Sequence, residues 1–304
     1  MRLPQVPRPA HDPRAPSCRT GSSSGTIIDA ETLLQDTAPA AYPTRRPIVE
    51  PERPERHCPE PTGSAVPADT AAAAHASRHH VTRYGRIVEQ GPTAILADHA
   101  TSFMLQHLVV QRGDRVAEPG CGTGILSLFA ALAGALNVVG TDVDPEAVTA
   151  ASRNAVLNRI ANALFVRGHL LEPVTTGLDL VVALLPHKPA PRPFNPRYYG
   201  GTDGTDLLLE AIRQSAERLT GGGRLVLYVN SIANPLRVAR ELERSFDVRL
   251  LGEKRRYFTR EEFDRLTPGM FAHLEAQAAR GEADFRSDDK GLYFMARIYE
   301  GARR

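Results

Sequence analysis

A chain of 304 residues, 42% of them apolar, is long enough to form one large domain or two small ones around a packed core. Lysine and arginine number 37 against 35 acidic residues, a net charge of +2, so no overall basic field implies nucleic acid as a partner. Three distant cysteines (Cys18, Cys58 and Cys121) give neither a disulfide framework nor a metal-ligand spacing, no run approaches the ~20 apolar residues of a membrane span, and the first residues lack the apolar core of a secretory signal; the expected compartment is cytoplasmic.

Residues 1–78 are rich in Pro, Ala and Arg and hold no apolar period, so they read as disordered, with at most a helical turn from Ile27 to Leu34. Residues 79–110 read as a lead-in: a short strand at 83–88, then a helix at 101–110 with an apolar stripe (Phe103, Met104, Leu105, Leu108, Val109) and Thr101 as N-cap. From 111 to 304, strand-like runs at 115–118, 137–142, 164–167, 178–185 and 224–230 alternate with helices beginning near Gly124, Asp144, Asp203 and Asn234. Such alternation predicts an α/β domain whose parallel sheet is covered on both faces. Two further strands, at 248–251 and 291–298, flank a helical insertion at about 259–280, where Phe263, Leu266, Phe271 and Leu274 predict added core more than a substrate lid.

The first strand turns into its helix through Glu118-Pro119-Gly120-Cys121-Gly122-Thr123-Gly124. Glycines there let a ligand approach the backbone closely. Twenty residues past Gly122, Asp142 ends the next apolar run, where a carboxylate can accept both hydrogen bonds of a ribose diol; Asp144-Pro145-Glu146 reads instead as a helix cap. A dinucleotide fingerprint needs glycine at 125, which is Ile125, and this disfavours an NAD-dependent oxidoreductase.

The acidic strand tip and glycine spacing resemble motif I of the class I S-adenosylmethionine-dependent methyltransferases. That resemblance implies a Rossmann-like, doubly wound, seven-stranded sheet of order 3-2-1-4-5-7-6 with the last strand antiparallel. It also implies S-adenosylmethionine as cofactor, lined by Glu118, Gly120, Cys121, Gly122, Thr123, Gly124, Asp142, Val143, His169 and Leu184. His169 stands where the family places an acid near the adenine; a neutral imidazole can accept one hydrogen bond, or the ring is solvated.

Residues 112–230 further resemble the release-factor glutamine methyltransferases and their RNA-modifying, small-domain relatives, including the Gly-Gly-x-Asp-Gly turn at 200–204. Their Asn-Pro-Pro-Tyr loop is replaced by Leu184-Leu185-Pro186-His187. His187 is therefore the candidate base or stacking surface, or a bystander, and Tyr198, Tyr199 and Asp203 are candidates for acceptor contact, with Asp203 alternatively capping the helix through Leu209 and Ile212. The basic run Lys254-Arg255-Arg256 reads as a solvated strand end. The expected activity is methyl transfer to a nitrogen or oxygen of a protein, peptide or small molecule. RNA is the alternative acceptor. A protein arginine methyltransferase ranks lower, because no pair of glutamates lies between Leu185 and Asp203; outside the class stands a non-catalytic S-adenosylmethionine-binding protein.

Overall fold

The computed structural model describes residues 78–81, 87–90 and 99–304. The helical turn expected at Ile27 to Leu34 and most of the segment read as disordered lie outside the described residues. Strands β1 (Arg78–Val81) and β2 (Ile87–Gln90) pair antiparallel, so the strand expected at 83–88 overlaps β2 only at its end. Helix α1 (His99–His107) contains Thr101 rather than being capped by it. Thr101 lies on the same helical face as Met104, Leu105 and Leu108 at spacings of three, four and seven, and is buried with them.

The central sheet runs β5 (Ala163–Arg167), β4 (Asn137–Asp142), β3 (Arg115–Pro119), β6 (Leu178–Ala183), β7 (Leu219–Asn230), β10 (Gly291–Arg303), β8 (Phe246–Phe258), which is the expected order 3-2-1-4-5-7-6 with β10 antiparallel to both neighbours. Alternate residues serve opposite faces. Leu180, Val182, Val226 and Tyr228 join one core with α1 and α2 (Ile125–Leu132), while Val181, Ala183, Leu225, Leu227 and Val229 join the other with α4 (Asp206–Arg218) and α5 (Pro235–Ser245). Helix α3 (Pro145–Leu157) begins at the predicted cap: the Asp144 carboxylate accepts from the Glu146 amide at 2.9 Å.

The insertion forms two helices, α6 (Arg260–Leu266), which opens with a Thr259/Glu262 capping box, and α7 (Met270–Ala279). Phe258, Phe263, Phe271, Phe285 and Phe294 pack into one aromatic cluster beneath it. The sequence did not announce β9 (Phe285–Asp288), which pairs with β10 beyond the end of β7. Ser231 forms the joint: its amide donates to Met295, its hydroxyl accepts from the Met295 amide and donates to the Asp284 carbonyl, and its own carbonyl accepts from Asp284.

Candidate active site

A cleft of about 430 Å³ opens at the carboxyl ends of β3, β4 and β6, lined by residues 120–123 and by the loop after β6. Within the glycine loop, a Cβ on Gly120 would meet Leu185 at 2.8 Å and one on Gly124 would meet Ala151 and Phe165 at 2.9 Å, so both are required by packing. Gly122, at φ +53°, is different: a Cβ there would meet nothing within 4 Å. Its bare face looks into the cleft and lets a ligand reach the backbone.

Glu118 lines the same space, is only 4% exposed, and accepts from the Ser127 amide at 2.7 Å and from its hydroxyl. Burial pushes its carboxyl up to about 8 against the opposing pull of the Ser127 hydrogen bonds, and the nearby Asp142 charge adds to the rise. Burial likewise holds the Cys121 thiol well above its ordinary value, with Glu118 and Asp142 contributing. Asp142 accepts from the Gly122 amide through one oxygen and from the Asp144 amide through the other, both at 3.0 Å. Each carboxylate oxygen has a second lone pair. Val143, His169 and Leu184 also line the cleft; His169 Nε2 sits 3.1 Å from Glu210, and with Glu172 these form an acidic grouping at the surface.

The loop after β6 closes the other half. His187 is 6% exposed; its Nδ1 donates to the Leu185 carbonyl at 2.6 Å, and its Nε2 accepts from the Asn230 amide at 3.1 Å. A backbone N–H can only donate, which fixes the ring in its Nδ1–H form and fills the Nε2 lone pair. The predicted use of His187 as a base therefore does not fit this arrangement. The ring pins the end of β6 to the end of β7, edge-on to Tyr228.

Tyr199, predicted to touch the acceptor, instead packs with Phe194 at 5.7 Å in the aromatic cluster; its neighbour Tyr198 lines the cleft. The chain turns there, so one position separates the two environments. Asp203 is not among the residues that line the cleft, and the N-cap of α4, its other reading, is Thr205. Asp203 accepts from Thr205, Asn234 and Arg237, and although its partial burial works the other way, these bonds hold its carboxyl below the ordinary range. It staples the glycine turn to α4 and α5. Asn230, which the sequence reading used only as a strand end, is 7% exposed, lines the cleft, and its carboxamide oxygen has no hydrogen-bond partner among the described residues. Such a group costs about 1–3 kcal/mol.

The family model described as ribosomal protein L11 methyltransferase (PrmA) matches residues 98–185. A relative from Methanocaldococcus jannaschii, provisionally named protein N5-glutamine methyltransferase, is 32% identical over 136 residues, covering 43% of this chain and 68% of the relative. The chain belongs to the class I S-adenosylmethionine-dependent methyltransferases. A ribosomal protein L11 methyltransferase of Halalkalibacterium halodurans is 43% identical over 93 residues, and the match spans only 28% of that relative's length. Among solved structures, a T. thermophilus 16S rRNA N2 methyltransferase in complex with AdoMet and guanosine superposes with a TM-score of 0.50 at 20% identity, over 75% of this chain and 50% of that one, a likeness of fold.

Within this methyltransferase the family match ends at Leu185. The loop, turn and strand ends that close the second half of the cleft, residues 186–294, lie beyond it.

Proposed function

We propose that the chain binds S-adenosylmethionine between Glu118, Gly122 and Asp142 and transfers its methyl group to a nitrogen of a protein. The observation that carries the reading is a buried carboxyl, pushed up to about 8, beside a glycine whose open face lines the cleft. A buried acid of this kind is stabilised as the anion by a cationic partner. The ammonium of the cofactor's methionyl end is such a partner, whereas a pyrophosphate would be repelled. Asp142 keeps lone pairs for a ribose diol, and Val143, His169 and Leu184 would flank the adenine.

When bound, S-adenosylmethionine supplies an electrophilic methyl group on a sulfonium. The chain's own task is then alignment, the larger part of an in-line displacement. Leu185 wedges against Gly120 and His187 anchors Asn230, so the loop after β6 holds a fixed position between cofactor and acceptor. As the N–C bond forms the S–C bond would break, leaving a neutral thioether, and the methylated nitrogen would release its proton to solvent water, in keeping with a His187 ring whose two nitrogens are engaged. A protein acceptor is supported by the names of the relatives. Calorimetric titration with S-adenosylmethionine and with NAD tests the donor: saturable binding of the first alone is expected, and binding of NAD alone overturns the reading.

A further inference from the structure

The acceptor half of the cleft lacks the family's Asn-Pro-Pro-Tyr asparagine, whose position holds Leu184, yet an asparagine reaches the cleft from another strand. Asn230 ends β7, one strand away from the β6 loop, and its backbone is pinned by His187. Its carboxamide oxygen is buried and without a partner among the described residues. Such an oxygen is completed by a donor that arrives with a ligand.

The sheet register places a second group beside it. Asn230 pairs with Ala296 on β10, and two residues along β10 Phe294 pairs with Arg256 on β8. Paired residues share a face, as do residues two apart on one strand. Asn230 and Arg256 therefore stand on one face of the sheet, separated by two strand spacings of ~4.8 Å across it and by two residues, about 7 Å, along it. Ala296 and Phe294 lie between them, and Asn230, Phe294 and Arg256 all line the cleft. Arg256 is half-buried, whereas its neighbours are engaged: Arg255 with Asp288, and Lys254 with the His99 carbonyl and the Phe103 ring. The Lys254-Arg255-Arg256 run is thus not uniformly a solvated strand end.

We infer that Asn230 and Arg256 form a two-point recognition site for the acceptor, Asn230 accepting the N–H of the nitrogen to be methylated and Arg256 pairing with an anionic group beside it, which makes the substrate class a peptide segment with an acidic neighbour. A guanidinium suits a carboxylate because it donates two parallel hydrogen bonds. This rests on the methyltransferase reading above. Arg256 sets preference and Asn230 sets turnover.

The test uses the full chain, labelled S-adenosylmethionine and two pools of acetylated peptides. In one pool, lysine, glutamine or asparagine stands beside Glu or Asp; in the other, those acids are replaced by Ser or Ala, which carry no nitrogen to be methylated. Wild type is expected to label the acidic pool at least tenfold faster. Arg256→Ala should erase that preference. Asn230→Ala should slow both pools at least tenfold, and Asn230→Asp, which retains an acceptor oxygen, should recover part of the rate, with affinity for S-adenosylhomocysteine within twofold throughout. Melting curves separate a folding defect from a lost contact, and if Asn230→Ala unfolds, the Asn230→Asp and Arg256→Ala variants decide. Equal labelling of the pools, a preference that survives Arg256→Ala, label on added RNA only, or no peptide label despite cofactor binding each overturns the inference. Failure to bind S-adenosylhomocysteine overturns the methyltransferase reading instead.

Discussion

Two glycine clusters, residues 120–124 and 200–204, look alike in the sequence and do opposite things in the fold. In the first, Gly120 and Gly124 are packed but Gly122 faces open space. In the second, every glycine is filled against protein: a Cβ on Gly200 would overlap the His187 backbone, one on Gly201 the Asp206 carboxylate, and one on Gly204 would lie 2.7 Å from the His187 carbonyl. The first cluster leaves room for a ligand, while the second is a joint that lets α4 and the His187 loop approach each other. The missing side chain thus borders open space at Gly122 and protein at all three glycines of the second cluster.

Four changes test this contrast. Gly200→Ala forces a methyl group into backbone that cannot yield, so the folded protein should largely be lost, a cost above the ~1–3 kcal/mol of ordinary overpacking; a melting temperature within a few degrees of wild type would show the joint to be loose. Glu118→Gln comes next. Because the folded carboxyl sits near 8, above its ordinary value of 4.5, its contribution to the stability of the empty protein is fully present below 4.5 and is lost as pH rises through 8, on the order of 5 kcal/mol in all. Glutamine removes that loss, so the difference between melting curves at pH 5 and pH 8 should shrink in the variant, while calorimetry should show weaker cofactor binding. Asp142→Ala should weaken cofactor binding by ~1.5–3 kcal/mol, the scale for hydrogen bonds to a charged group, with a smaller loss of stability as the Gly122 and Asp144 amides lose their acceptor. Gly122→Ala is the mildest change to the fold, costing about 1–2 kcal/mol for a side chain at positive φ. Its methyl group stands in the cleft, so cofactor affinity measured by calorimetry should fall about tenfold. An unchanged affinity there would remove the distinction between the clusters.

How far the sequence could be read follows the same division. Strand runs, helix starts, the glycine loop and Asp142 are local patterns in which period and cap chemistry act within a few residues. Acceptor-side residues depend on distant partners. Asp203 is committed by Asn234 and Arg237, some thirty residues on, and His187 by the Asn230 amide. Tyr198 and Tyr199 differ by one step around a turn. Asn230 did carry a signal, since a polar residue closing an apolar strand is the grammar that pointed to Asp142. The pairing with Arg256 through β10 did not, because register between strands far apart in the chain leaves no local trace.

The Ser231 joint has a mechanical consequence. Strand β10 is flanked along one side by β8, and along the other by β7 and then β9, so the α6–α7 pair is tied at both ends to the same long strand. A cap tethered in this way cannot open by local fraying at one hinge; its amides should exchange with deuterium as a single cooperative unit with β10. The aromatic helices beside the acceptor half then act as a wall rather than a door.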